Sequence, residues 1–280
     1  MEHTQKENQP LLNIPTAIII AGAIIAGAVI YTKTPGNIGK QVASLDDTSF
    51  EEQFKAVTES DHILGNPEAK IKIVEYSDTS CPFCKVFHNT MRKVMSDYGK
   101  SGNVAWVYRH YPIDKPDGNG RILHPNAGKE AQATECANSL GGNEKFWTFT
   151  NRLYEITPSV TGNTPKGLDQ KELPKIAQFS GINVNDFNTC LGTSKFKEKV
   201  EADFTDGVNI GISGTPSSVI VLDKAFPASI KEKLMQIYEP YKDETGQYPI
   251  KLSPDSKMIM MGGAMPIETV KATIDLLFTY

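Results

Sequence analysis

No excess of positive charge marks this chain: 29 Lys and Arg face 33 Asp and Glu, a net charge of −4. That balance excludes the basic footprint by which a domain grips nucleic acid. No segment repeats along the 280 residues, which excludes an architecture built from copies of one unit. Tryptophan is confined to Trp106 and Trp147, most simply core residues. Long apolar runs are absent apart from one, at Leu11–Tyr31. Cysteine is scarce: Cys81, Cys84, Cys136 and Cys190. Four cysteines allow three pairings, and if 81–84 is one pair then 136–190 is the other. A second, structural disulfide needs an oxidising compartment, which points outside the cytoplasm; buried free thiols acting as small hydrophobes are the alternative. Hydrophobic residues at 39% and charged residues at 22% are compatible with a folded globular body.

The exceptional run carries no charged residue across its 21 positions. At about 1.5 Å per residue it reaches roughly 31 Å, matching a hydrocarbon core of about 30 Å. Residues 11–31 therefore read as a transmembrane anchor behind a short tail, 1–10, with a cleaved signal peptide as the alternative. Both readings send the remainder across a membrane. Lys6 stands against Glu2 and Glu7 before the run, while Lys33 and Lys40 follow it, so charge gives no support to an N-inside arrangement. The expectation of a single-pass cell-membrane protein with its folded part outside rests instead on disulfide chemistry.

Residues 32–57 read as a tether, with room for a short helix at 48–58, and the folded domain as 58–280. Ile71–Tyr76 and Val104–Tyr111 read as strands around a helix from Cys81 to Tyr98, an order that suits a parallel βαβ unit. From about 124 to 211 the pattern turns helical. Pro125 and Gly141 bracket one expected helix, and Asn143–Ile156, Leu168–Phe179, Asp186–Leu191 and Lys195–Val208 follow. Ser217–Leu222 and Met258–Met261 read as hairpin strands and Pro266–Phe278 as a last helix. The connection at about 224–256, with a helix near 226–241, is far longer than a hairpin needs.

Directly after the first strand stands Ser80-Cys81-Pro82-Phe83-Cys84-Lys85. Two thiols two residues apart, where a strand hands over to a helix, form a redox device. At the helix start, unpaired backbone N–H groups and the helix dipole stabilise a thiolate. Such placement lowers a thiol pKa from about 8.5 into the range of roughly 3.5–7.5. Cys81 is the expected nucleophile, exposed at the helix tip. Cys84, one turn inside, is the shielded resolving partner, and Pro82 fits the first turn, where its missing N–H costs nothing. Half of a zinc site is the alternative. However, Cys136 and Cys190 lie 52 and 106 residues beyond Cys84, and neither belongs to a CxxC pair. No metal or cofactor is expected.

Further pieces fall in a telling order: Asp61-His62-Ile63-Leu64-Gly65-Asn66-Pro67, Val74-Glu75-Tyr76-Ser77-Asp78, the CPFC segment, Arg109-His110-Tyr111-Pro112 and His124-Pro125-Asn126-Ala127. Glu135-Cys136-Ala137, Lys145-Phe146-Trp147 and Gly214-Thr215-Pro216-Ser217 complete them. Together they resemble the thioredoxin superfamily, specifically its membrane-anchored, DsbA-like thiol–disulfide oxidoreductases, from about residue 60 onward. The resemblance implies an α/β thioredoxin-like fold with a helical insertion between the second and third core strands. The long stretch Lys224–Ser256 departs from it.

The resemblance also assigns roles. Glu75, six residues before Cys81, matches the buried acid that moves a proton to or from the second cysteine, and a buried carboxyl can do so near neutrality. Thr215-Pro216 matches a cis-proline loop packed against the active disulfide. Pro82 and Phe83 set the redox poise, and Phe83 offers clients an apolar contact. His88 reads as a packing or solvent-facing residue, His110 and His124 as structural. The implied partners are exported cysteine-containing clients, a membrane redox partner that re-oxidises or reduces the site, and the membrane itself. Disulfide donation is the leading expectation. Reduction or isomerisation by the same fold is an alternative. A non-redox tethered chaperone is another, against which the intact CPFC and Thr-Pro elements argue.

Overall fold

β-branched and aromatic residues fill the stretches that become strands, and their period of two decides which side chains face which layer. The computed structural model describes residues 50–158 and 167–280. Among these, six strands join in one sheet: β1 (His62–Gly65), β2 (Ile71–Ser77), β3 (Val104–His110), β4 (Ser217–Leu222), β5 (Ile250–Leu252) and β6 (Met258–Gly262). Their spatial order is β1-β3-β2-β4-β6-β5. β2 and β3 run parallel, joined by the crossover helix α2 (Pro82–Tyr98), and the other neighbours pair antiparallel. This is the mixed α/β, thioredoxin-like arrangement that the resemblance implies.

Alternation splits the core in two. Ile71 and Ile73 of β2, with Trp106 and Tyr108 of β3, face α2 and its Phe87, Met91 and Val94. Val74 and Tyr76 face the opposite layer with Val107, Ile210, Ile212 and Val219. Glu75 shares the parity of Ile71 and Ile73, so the strand's own pleat carries its carboxyl to the α2 side. Phe50, in the short helix α1 (Phe50–Gln53), and Phe54 are buried in the opposite layer. The described part of the expected tether, residues 50–57, is therefore packed on the domain. The tail at 1–10, the anchor at 11–31 and the rest of the tether lie outside the described residues. Among the described residues no helix is long and apolar enough to cross a membrane.

The helical insertion has its own core. α3 (Ala127–Ile156) is one long helix broken at Gly142, whose φ of 73° is left-handed. The two helices expected there are its halves. α4 (Leu173–Phe179) and α5 (Val184–Gly192) pack on α3 through Phe149, Leu153, Leu173, Ile176 and Phe187. Cys136 and Cys190 are joined by a disulfide in this core, tying α3 to α5. α6 (Lys197–Asn209) returns the chain to the sheet.

The stretch 224–256 supplies α7 (Ala228–Tyr238) and β5, which adds a sixth strand beside β6. α7 buries Ile230, Leu234 and Tyr238 against α8 (Ile267–Leu277). The Tyr238 hydroxyl lies 3.1 Å from the Thr273 hydroxyl. The departure from the family is thus an integral part of the core.

Candidate active site

β2 ends in the turn Asp78–Ser80, and α2 begins with Cys81 at its N-cap and Pro82 in its first turn. No side chain caps this helix. The Cys84 backbone N–H, one of the amides left free at the helix start, bonds to the Cys81 sulfur. The Thr215–Pro216 peptide is cis. The Cys81 thiol donates to the Thr215 carbonyl at 3.5 Å. That carbonyl helps cover the sulfur, so Cys81 is only 5% exposed; the expectation of an exposed nucleophile is corrected. Phe83, at 46% exposure, is what this corner presents to solvent. Cys84 is wholly buried and receives the Asp78 backbone N–H at 3.4 Å. Both thiols are free.

The two sulfurs are electrostatically unequal. A hydrogen bond from the Cys84 thiol, reinforced by the Cys84 amide, pulls Cys81 down from 9.0 to about 7, against burial and the nearby Asp78 charge. Cys84 is pushed well up, first by burial and then by the hydrogen bond and charge of Cys81. A thiol that ionises near neutrality thus stands before one that holds its proton. Glu75 is fully buried beneath them and raised to about 7 by that burial. Trp106 Nε1–H donates to its Oε2 at 2.9 Å, while Oε1 has no hydrogen-bond partner among the described residues.

A shell of polar side chains holds the turn. The Asp78 carboxylate accepts the Ser80 amide at 2.7 Å, the Ile113 amide at 2.7 Å and His124 Nδ1–H at 2.8 Å. Glu130, on α3, accepts the hydroxyls of Thr79 and Ser80 at 2.8 and 2.9 Å and the Gln170 amide at 2.9 Å. The Tyr154 hydroxyl lies 2.9 Å from the Ser77 hydroxyl and 3.2 Å from that of Tyr108. His88 is the packing residue of the two options: its ring lies 4.4 Å from Tyr154, and burial lowers it to about 4, leaving it neutral.

Away from the cysteines, His62 and His110 both donate Nε2–H to one oxygen of Glu135, at 2.8 and 3.0 Å. These three buried groups lie within 4.8 Å of one another and have the donor types of a metal site. Their mutual hydrogen bonds bind β1 and β3 to α3. Arg109 is buried between Asp61, at 2.8 Å, and Asp206, at 2.9 Å.

The thioredoxin family pattern matches residues 57–238. This chain belongs to the thioredoxin family. Solved structures share the fold in its DsbA-like form. Alpha-DsbA1 of Wolbachia pipientis superposes with a TM-score of 0.57 at 22% identity, over 82% of this chain and 96% of that one. Oxidised BdbD of Bacillus subtilis gives 0.51 at 22% identity, over 65% of this chain and 95% of that one. Among curated relatives, a Rickettsia felis protein named "Putative protein-disulfide oxidoreductase" is 24% identical over 194 residues, 63% of this chain and 64% of that protein. A Mycolicibacterium gilvum protein named Na(+)/H(+) antiporter NhaA 1 is 27% identical over 161 residues, which are 57% of this chain. The chain spans only 23% of that antiporter's length.

In this thioredoxin-family chain the expected site residues Glu75, Cys81, Pro82, Phe83, Cys84, Thr215 and Pro216 come from β2, α2 and the loop before β4 and meet in the middle of the sheet, where the C-terminal end of β2 lies beside the start of β4. Cys136 and Cys190 stand apart, in the insertion core. Sequence reading gave no role to Asp78, Glu130 and Tyr154, and took His124 as structural. They become neighbours only when α3 folds back onto the turn. The signal available was Asp78, three residues before Cys81, with two hydroxyl residues between them.

Proposed function

We propose that the chain is a thiol–disulfide oxidoreductase that donates the Cys81–Cys84 disulfide to exported proteins, outside the cytoplasm. The observation that carries this is the geometry of the thiol pair: Cys81 caps the N-terminus of α2 against the Thr215 carbonyl, with Cys84 wholly buried one turn behind it, an arrangement that lowers the first thiol and raises the second. A low leaving-group pKa makes the Cys81 sulfur a good thiolate to expel, and stabilising the reduced pair makes the disulfide the better oxidant.

In the oxidised site a client thiolate attacks the Cys81 sulfur. The 81–84 bond breaks, a client–Cys81 disulfide forms, and Cys84 leaves with the electron pair. Glu75, protonated up to about 7, supplies the proton that Cys84 takes. A second client thiolate then attacks the client sulfur of the mixed disulfide and releases Cys81 as thiolate. The client has lost two electrons, which the site has gained; the protons of the two client thiols pass to solvent, from which Glu75 takes one back, leaving Cys84 as thiol and Cys81 as thiolate. The Thr215 carbonyl and the exposed Phe83 ring offer the client a hydrogen-bond acceptor and an apolar contact beside the sulfur. A disulfide donor in the membrane restores the 81–84 bond, and the apolar segment 11–31 keeps the domain near it.

Incubating the oxidised protein with a reduced, unfolded two-cysteine client tests this. Client disulfide should form at the expense of the 81–84 bond, and Cys81→Ser should abolish the transfer. Transfer that survives Cys81→Ser refutes the assignment. Cys84→Ser should instead accumulate the mixed disulfide.

A further inference from the structure

The turn Asp78–Ser80 holds a charge that works against the proposed chemistry. The Asp78 side chain is completely buried, and its negative charge disfavours a thiolate on Cys81. Two backbone amides and one imidazole take its oxygens. Of these, only His124 can bring a compensating positive charge. His124 stands just before α3, with its ring nitrogen 2.8 Å from the carboxylate and its own side chain 4% exposed.

We propose that His124 is a positioning residue for the thiol chemistry: paired with Asp78, its imidazolium neutralises the buried carboxylate and thereby favours the Cys81 thiolate. This role rests on the proposed oxidoreductase function and adds a residue to it. The structural purpose of the pair is served by any N–H donor at this position. The electrostatic purpose needs the charge.

The surroundings agree. Burial alone would push His124 down, but the hydrogen bond and charge of Asp78, then the charges of Cys81 and Glu130, carry it above its ordinary 6.5. Thiolate and imidazolium therefore favour each other. The titratable groups around them are Asp78 in the turn, Cys81 at the head of α2, Glu130 on α3, and Asp114, whose carboxyl approaches Gly128 and feels Asp78. Glu130 is held by three uncharged donors. Among the described residues, His124 is thus the cation in direct contact with this acidic turn.

The test uses the reduced full chain and follows alkylation of Cys81 by iodoacetamide across pH. His124→Asn keeps an N–H donor for Asp78 but removes the charge. One unit charge within a partly buried site changes a neighbouring pKa by about one unit, or about tenfold in thiolate population below the pKa. At pH 6 alkylation of His124→Asn should therefore be about tenfold slower than wild type, with the midpoint displaced upward. Asp78→Asn removes the carboxylate together with the contact that holds the buried His124 in its charged form, so its midpoint should stay near wild type. The double variant should fall near wild type, a compensation that a merely structural role does not produce. A wild-type midpoint near 9 removes the oxidoreductase reading itself. A wild-type midpoint near 7, with His124→Asn superimposable on it, overturns the role of His124 and leaves that reading standing. If His124→Asn does not fold, His124→Gln, which also keeps an N–H donor, takes its place, and a midpoint superimposable on wild type overturns the proposal.

Discussion

Glu75→Gln gives the sharpest view of the buried acid, because it changes charge at nearly constant shape. The glutamine oxygen can still accept the Trp106 N–H that now reaches Oε2 at 2.9 Å. In the folded protein burial raises Glu75 from 4.5 to about 7. The folded state therefore keeps a proton that the unfolded chain releases near 4.5, and stability is lost as pH rises through that window. At about 1.4 kcal/mol per unit, the loss amounts to about 3 kcal/mol by pH 8. Glutamine does not ionise, so the stability of Glu75→Gln relative to wild type should rise by about 3 kcal/mol between pH 4 and pH 8. For a domain of this size that corresponds to about 6–12 °C in Tm. Urea unfolding followed by the fluorescence of buried Trp106 and Trp147 reads the difference. A difference independent of pH would refute the raised pKa. The same variant should transfer disulfides more slowly, since Cys84 loses its proton donor.

Other expectations are simpler to state. Replacing Cys136 and Cys190 by Ala removes a link spanning 54 residues and should cost about 2–4 kcal/mol of stability. The Cys81 alkylation profile should stay in place in that variant; a displaced profile would join the insertion disulfide to the active site. Leu234→Ala in α7 removes a fully buried side chain and should destabilise the whole domain by about 2–5 kcal/mol. Unchanged urea unfolding there would make 224–256 an appendage. Cys84→Ala deletes the thiol hydrogen bond that chiefly lowers Cys81, so the Cys81 midpoint should rise toward 9 in the pH series.

Most of the scaffold was legible because its signals are local. The alternation of Ile71–Tyr76, the Pro82 start of α2 and the β-branched Ser217–Leu222 each act within a few residues. β1 was not legible. His62–Gly65 is a four-residue strand without alternation, and it becomes a strand only by pairing with β3. β5 was missed for the same reason, three residues held by β6. Phe50 and Phe54 sat in a polar stretch, and what buries them is the distant face of the sheet and its covering residues. The site divides in the same way. Cys81 and Cys84 could be found from their spacing and the helix start, and Glu75 from the family resemblance. The burial of Cys81 could not, because the Thr215 carbonyl covering it lies 134 residues away. Asp78, Glu130 and His124 were hidden likewise, since their purpose appears only where α3 meets the turn.

The central claim is that Cys81 and Cys84 exchange reversibly between dithiol and disulfide, with the first sulfur the stronger acid. Equilibrating the protein with glutathione of graded redox ratio, then mapping the trapped thiols by mass, tests it most directly. The account predicts one two-electron transition confined to Cys81 and Cys84, with Cys136–Cys190 oxidised throughout and singly modified protein carrying glutathione on Cys81. Absence of an 81–84 disulfide at every ratio, or glutathione lodged on Cys84 instead, would contradict it.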